Sequence, residues 1–290
     1  MEYADLRNGI KVPLVGLGTY PMRGDVVKSA VQKAIDNKYE LFDSAWYYQN
    51  EKEIGDVVRT VPRDNVFICS KLKAEQWLGR RRCLHLDKKS ALKCYMDTLK
   101  RYQLDYLDLY LLHSNIDFYM EAWKEMMNLY EDGLVKAIGV CSCTIDQLKK
   151  FHAMYGHYPM INQVELHPFF QRKDLLEFCK ENGIQLMAFS PFAHGDHMKE
   201  LMQNQLLKDI SVRYNKTIGQ IIIRWFVQNG IVVIPQSSNP KHIQENIDVF
   251  DFSLTAEEMS NISLIDKNQS YGSFSVRRQK YFLGIPINKH

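Results

Sequence analysis

The sequence predicts an α/β chain folded as one single-domain (β/α)8 TIM barrel. Three observations predict it. Short apolar runs alternate with stretches of helical period along most of the chain, the signature of a parallel sheet wrapped by helices. Eight such runs occur, which favours a closed barrel over an open sheet. Three of the runs end in different ionisable residues. Leu41-Phe42 runs into Asp43, Val66-Phe67-Ile68-Cys69-Ser70 into Lys71, and Leu107-Asp108-Leu109-Tyr110-Leu111-Leu112 into His113. Active sites of such barrels lie at the strand C-termini. Asp43, Lys71 and His113 are therefore expected to share one mouth with Tyr48, five residues beyond Asp43.

Composition narrows the function classes. The chain has 290 residues, 46% of them hydrophobic, enough for a large core and compatible with one domain over 1–290. A net charge of +3 is too mild to argue for a nucleic-acid partner, and Arg80-Arg81-Arg82 with Lys88-Lys89 read as a solvated loop. No apolar run reaches the ~18–20 residues of a membrane helix, so no membrane partner is expected. Met1-Glu2-Tyr3-Ala4-Asp5 lacks a signal-peptide pattern. The six cysteines form no CxxC pair, which fits free thiols in a reducing cytoplasm. His194-Gly195-Asp196-His197 has some metal-ligand character but reads better as a polar loop, so no metal is expected.

In chain order, 6–12 reads as a hairpin with Asn8-Gly9 supplying positive φ angles, placed to plug the barrel floor. Val15-Gly16-Leu17-Gly18-Thr19 is the first strand. Its glycines begin a GxGxxG fingerprint, but Pro21 occupies the third glycine position, so they read as sites of close packing or ligand approach. A helix is expected over 25–37, with Val26, Val27, Ala30, Val31 and Ala34 on one face. Further strands end near Asp43, Lys71, His113, Ser142, Glu165, Ser190 and Gln236. Helical patterns occupy 51–59, 88–102, 119–132, 145–155, 174–182 and 217–228, with Gly133, Gly183 and Gly230 at expected C-terminal positions. Two long connections, 72–87 and 192–205, follow strand C-termini and should overhang the mouth. The tail from about 266 to 290 carries Tyr271, Phe274, Tyr281 and Phe282 and is expected either over the mouth or along the surface.

The four ionisable residues suit one chemistry. A free tyrosine has a pKa near ~10, and a lysine ammonium nearby lowers it. Asp43 can hold Lys71 charged, Tyr48 can give a proton to a substrate oxygen, and His113 can orient that oxygen. The chain lacks a GxSxG elbow and a Cys-His signature, so a hydride donor, and with it nicotinamide, is the economical partner. Taken singly, Asp43–Lys71 reads equally as a structural ion pair and His113 as a core histidine.

The sequence resembles the aldo-keto reductase superfamily from about residue 8 to 266. The matching stretches are Gly16-Leu17-Gly18-Thr19, Asp43-Ser44-Ala45 with Tyr48 and Asn50-Glu51, Ser70-Lys71-Leu72, and Leu111-Leu112-His113. Gly133-Leu134-Val135-Lys136-Ala137-Ile138-Gly139-Val140, Asn162-Gln163-Val164-Glu165-Leu166-His167-Pro168, Ile234-Pro235 and Glu245-Asn246 complete it. The resemblance implies the (β/α)8 barrel and NAD(P)H-dependent reduction of aldehydes or ketones, with Asp43, Tyr48, Lys71 and His113 as the catalytic tetrad. It places Gln163 and Ser142 on the nicotinamide carboxamide, Phe189 on the ring face, and Glu245 and Asn246 on the adenine side. Gly18, Thr19, Tyr20, Asp43, Ser190, Pro191, Pro235, Gln236, Ser237 and His242 are the other implied cofactor residues.

The departures shape the expectations for cofactor and substrate. Cys141-Ser142 replaces the usual Ser-Asn, and Gln236 and His242 replace a lysine and an arginine that grip the 2′-phosphate. NADP(H) is implied, with NAD(H) usable because charge-assisted contacts are lost; Lys241 is adjacent and could substitute in part. Ser114 stands where a tryptophan is common. With Tyr20, Trp46 and Tyr47 it would line a wider, more polar pocket, for a carbonyl larger or more oxygenated than benzaldehyde. The alternative reading is a cofactor-binding regulatory subunit with little turnover; a hydrolase pairing Asp43 with Glu165 is weaker. The expected partner is a small-molecule carbonyl, and the protein a monomer or weak dimer.

Overall fold

Hydrophobic alternation becomes a closed wall of parallel strands in the computed structural model, which describes residues 1–72, 88–113 and 120–270. A hairpin of β1 (Tyr3–Asp5) and β2 (Lys11–Pro13) precedes the barrel strands β3 (Gly16–Gly18), β4 (Leu41–Asp43), β5 (Phe67–Leu72) and β6 (Leu107–Leu112). These continue as β7 (Val135–Cys141), β8 (Ile161–Glu165), β9 (Gln185–Phe189) and β10 (Val232–Val233). Each barrel strand pairs in parallel with the next in sequence. Parallel bridges Val15↔Val233 and Gly18↔Gln236 join the last strand to the first. Gly18 makes that closure possible: a Cβ there would lie 2.7 Å from the Ile234 carbonyl oxygen.

The helices wrap this wall: α1 (Gly24–Asp36), α2 (Glu51–Val58), α3 (Lys88–Tyr102), α4 (Met120–Glu131), α5 (Ile145–Tyr155) and α6 (Lys173–Glu181). The remaining described ones are α7 (Gly195–Met202), α8 (Gln205–Tyr214), α9 (Ile218–Gln228), α10 (Pro240–Ile247) and α11 (Ala256–Leu264). Every residue of β5 and of β6 is buried, as expected of strands covered on both faces. Among the described residues no helix is long and apolar enough to cross a membrane.

Several local expectations need correction. The hairpin's connection is longer than a two-residue turn: strands pair from Tyr3↔Pro13 to Asp5↔Lys11, and only Gly9 of the Asn8-Gly9 pair has positive φ. The hairpin does reach the barrel floor, since Asn8 Nδ2 donates to Lys136 O at 3.0 Å and Arg7 to the carbonyls of Tyr158 and Pro159. Val26 lies off the apolar face of α1, 54% exposed, while Val27, Ala30, Val31 and Ala34 are buried. The presumed long connection 192–205 contains α7, and α8, α10 and α11 were not expected. Gly133, Gly183 and Gly230 all have the positive φ of helix-terminal glycines. The connection 73–87, with the Arg80-Arg81-Arg82 cluster, Ser114 and the tail aromatics Tyr271, Phe274, Tyr281 and Phe282 lie outside the described residues. The start of the tail is described: Lys267 N donates to Phe169 O and Ser270 Oγ to Glu165 Oε2, against the exit of β8.

Gly55 brings α2 against α3. A Cβ at this position would sit 2.3 Å from the Tyr102 carbonyl oxygen, which belongs to a helix end and cannot step aside. Gly55→Ala should therefore destabilise the fold by roughly 1–3 kcal/mol, the usual range for overpacking. Urea denaturation of both proteins measures it, and an unchanged midpoint would show that the two helices yield.

Candidate active site

Strand register puts the ionisable residues together. Asp43 pairs in register with Cys69, and Lys71 lies two residues further along β5, hence on the same face. The lysine stem reaches back so that Nζ donates to Asp43 Oδ1 at 2.5 Å and to the Ser44 carbonyl at 2.8 Å. Both side chains are buried, at 0% and 3% side-chain exposure. Asp43 Oδ2 accepts from Gln163 Nε2 at 2.8 Å, a bond that crosses the barrel from β8. Burial is the largest single influence and lowers the Lys71 pKa, but Asp43 together with Tyr48, Cys69 and Cys141 outweighs it and holds the ammonium above its ordinary value. The pair is thus a fixed cation and its counter-ion.

Tyr48 sits at the end of a 3₁₀ turn, Trp46–Tyr48, immediately after β4. Lys71 Nζ lies 5.1 Å from its ring centroid. The His113 ring meets Tyr48 edge-on at 5.6 Å, and the Tyr20 ring tilts against it at 5.0 Å. Burial pushes the Tyr48 hydroxyl above the usual tyrosine value, with Asp43 adding to the rise, while Lys71 pulls it down. The expected lowering by lysine is present but does not dominate. The group is a neutral O–H held beside a cation, able to donate a proton and stabilised as phenolate by the same lysine. His113 follows β6 directly, its N–H bonded to Leu72 O at 2.9 Å, so two neighbouring strand exits are tied together.

Two residues, a family-matching pair at the start of α2, were given no role from the sequence and act here as supports. Asn50 accepts from Ser44 Oγ at 2.5 Å and donates to the carbonyls of Thr19 and Met22 at 3.3 and 2.9 Å. It ties the β4 exit to the loop that carries Tyr20. Glu51 accepts from Ser70 Oγ and from Arg101 Nε, both at 2.5 Å. Burial raises the Glu51 pKa and Arg101 opposes the rise. Ser70 precedes Lys71, so alternation turns it outward to α2 while Lys71 points inward; that signal was available. Met187, whose sulfur lies 2.9 Å from Gln163 Nε2, was also missed, and no sequence signal marks it.

The other expected residues line one rim. Ser142 leaves β7 with φ 57°, its N–H on Gln163 O at 2.8 Å. Phe189 ends β9 half-buried; Ser190 follows with φ 53° and shares a 2.5 Å hydrogen bond with His194, and Pro191 is buried. Gly18 N donates to Pro235 O at 3.1 Å, and Thr19 donates through N and Oγ to the Asp43 carbonyl at 3.1 and 2.9 Å. β9, β10 and β3 are neighbours, so these exits are contiguous. Ser237 is buried and its Oγ accepts from Asn239 N at 3.0 Å. On α10, His242 and Lys241 are exposed, Lys241 lies 3.6 Å from Glu245, and Asn246 is buried. Gln236 is exposed. Tyr20 and Tyr47 are exposed and Trp46 half-buried on the Tyr48 side, while Ser114 is outside the described residues. In the histidine-rich stretch His194 bonds Ser190, Asp196 pairs with Lys199 and His197 with Glu200; among the described residues no group of three potential ligands could hold a metal.

This arrangement agrees with a family model, described as Aldo/keto reductase family, that matches residues 14–267. The chain belongs to the aldo/keto reductase family. It is 38% identical over 272 residues to "Methylglyoxal reductase DkgA" of Escherichia coli (strain K12), covering 92% of this chain and 94% of that protein. It is 37% identical over 271 residues to "Glyoxal reductase" of Bacillus subtilis (strain 168), with the same two coverages of 92% and 94%. Among solved structures, the Bombyx mori aldo-keto reductase in complex with NADP superposes with a TM-score of 0.86 at 28% identity. That match covers 98% of this chain and 97% of that one. The fold seen here is thus the reductase barrel.

Asn50 is fully buried and satisfies two carbonyls and a hydroxyl. Asn50→Ala removes all three bonds; the Thr19 carbonyl keeps the Met22 N–H at 2.8 Å, and each buried group left unsatisfied costs about 1–3 kcal/mol. Chemical denaturation should show a loss in that range or above it; a loss below ~0.5 kcal/mol would mean that water replaces the amide.

Proposed function

We propose that this aldo/keto reductase reduces an oxygenated aldehyde or ketone with NADPH, and that Tyr48, Lys71, Asp43 and His113 carry the reaction. The observation that carries the proposal is a neutral tyrosine hydroxyl beside a buried ammonium locked on a carboxylate, with a histidine ring across from it. The bound nicotinamide supplies the hydride. His113 hydrogen-bonds the carbonyl oxygen and orients it. Tyr48 delivers its proton to that oxygen, and Lys71 stabilises the phenolate left behind. Asp43 holds Lys71 charged throughout. The donor set fits a nicotinamide: the amide of Gln163, the hydroxyl of Ser142 and the face of Phe189 stand on three consecutive strand exits, β7 to β9. Ser190, Pro191, Pro235, Gln236 and Ser237 would hold the rest of the dinucleotide, with His242, Glu245 and Asn246 at its adenine end. Oxygenated substrates such as α-oxoaldehydes are the first to try. Two relatives are named for methylglyoxal and glyoxal, and a serine, Ser114, follows His113 in the sequence. Relatives that this chain covers across more than nine tenths of their length are named as reductases, which disfavours the binding-subunit reading.

Tyr48→Phe removes the acid and keeps the ring. The turnover number for methylglyoxal should fall about 10²–10⁴-fold, the usual share of general acid catalysis, while NADPH still quenches tryptophan fluorescence. Retained turnover would exclude Tyr48 as the proton donor.

Gln236 and His242 lie exposed at the adenine end and carry no fixed positive charge, so NADH should be used alongside NADPH. The double change Gln236→Lys with His242→Arg adds two charge-assisted contacts and should raise the NADPH-to-NADH ratio of kcat/KM by about tenfold or more. An unchanged ratio would mean that Lys241 already holds the 2′-phosphate.

A further inference from the structure

Tyr48 and Lys71 face each other inside the barrel and are tied together outside it. In the mouth, Lys71 Nζ lies 5.1 Å from the Tyr48 ring centroid. Ser70, one residue before Lys71, points to the opposite face of β5. There its Oγ donates to Glu51 Oε1 at 2.5 Å. Glu51 is the first residue of α2, three positions after Tyr48. Its other oxygen, Oε2, accepts from Arg101 Nε at 2.5 Å, and Arg101 Nη2 donates to Thr98 Oγ1 at 2.8 Å. The last turn of α3 thus backs the link. Ser70 and Thr98 are fully buried and Glu51 is 1% exposed, while the Arg101 side chain is 32% exposed. Asn50 ties the same turn to the exit of β4 and to the loop after β3. Glu51 is the residue that reaches β5.

A buried carboxylate is costly, and an aliphatic side chain of similar volume would fill the same space without that cost. Glu51 does what a leucine cannot. It holds the segment that carries the proton donor against the strand that carries the ammonium. We infer that Glu51, backed by Arg101, is a positioning residue that sets the spacing between Tyr48 and Lys71, and so governs proton delivery from outside the barrel wall. The inference rests on the role given to Tyr48 under Proposed function. Its action is geometric. A side chain that bonds both Ser70 and Arg101 suffices, and one that bonds neither releases the Tyr48 turn from β5.

The test is the single-turnover rate of NADPH oxidation by methylglyoxal, taken per NADPH-binding site. NADPH affinity is read alongside by quenching of tryptophan fluorescence. Glu51→Leu removes both bonds. Its rate should fall about ten- to a hundredfold, the scale of an ångström-sized misplacement, with NADPH affinity kept within about twofold. Its solvent deuterium isotope effect should rise, because proton delivery becomes the slower event. Glu51→Gln accepts from Arg101 through its oxygen and donates to Ser70 Oγ through its NH2, so the rate should return to within about threefold of the intact protein. An unchanged rate in Glu51→Leu overturns the inference. So does a fall in NADPH affinity that matches the fall in rate, an unchanged isotope effect, or a Glu51→Gln protein as slow as Glu51→Leu. Should Glu51→Leu not fold, Ser70→Ala carries the test. It cuts the tie to β5 and leaves the Glu51–Arg101 pair, and its rate should drop with the same larger isotope effect; an intact rate overturns the inference. If the intact protein oxidises no NADPH with methylglyoxal, the reading under Proposed function fails, and this inference with it.

Discussion

The buried pair of Lys71 and Asp43 is the constraint on which the rest of the site depends. Removing two charges from water costs several kcal/mol per ion, and their attraction offsets this only when the remaining donors and acceptors are met. Here they are met from several strands. Lys71 comes from β5, Asp43 and the Ser44 carbonyl from the exit of β4, and the second carboxylate partner, Gln163, from β8 on the far side of the barrel. The bond from Gln163 requires the closed barrel, because β8 and β4 are not neighbours in the sheet. The ion pair therefore reports the fold, and any distortion that parts β4 from β5 exposes an uncompensated charge.

Around the pair, burial and charge act on Tyr48 in opposite directions. Burial favours the neutral hydroxyl and Lys71 favours the phenolate. The result is an acid that stays protonated at rest and has its conjugate base stabilised where it forms. The backbone that presents Tyr48 is a short 3₁₀ turn with little to stabilise it by itself. It is anchored just beyond its C-terminal end, by Asn50 on the Ser44 hydroxyl and the Thr19 and Met22 carbonyls and by Glu51 on Ser70 and Arg101. The second anchor places the tyrosine's helix against the residue next to Lys71, so acid and cation share one support.

The outer rim is built differently. Gln236, Lys241 and His242 are exposed on and before α10, where water screens each contact and a change of side chain costs the fold little. Variation is cheap there and expensive at Asp43. The departures read from the sequence at Gln236 and His242 fall on this exposed surface.

Much of this was legible in the sequence. Strand and helix alternation gave the barrel, because strands covered on both faces must be apolar throughout and helices must show one stripe. The rule that sites lie at strand C-termini brought Asp43, Tyr48, Lys71 and His113 to one mouth, since period-2 alternation and parallel register leave them little freedom. Local conformation was less legible. The Asn8-Gly9 connection, the exposure of Val26 and the helix hidden in 192–205 depend on which neighbour each segment meets. Only the tertiary structure decided the cross-barrel bond from Gln163 to Asp43, the Met187 contact behind it, the Glu51–Ser70–Arg101 brace and the net direction of the Tyr48 pKa. Each is set by burial and by distances between residues far apart in the chain, and periodicity carries no information about either.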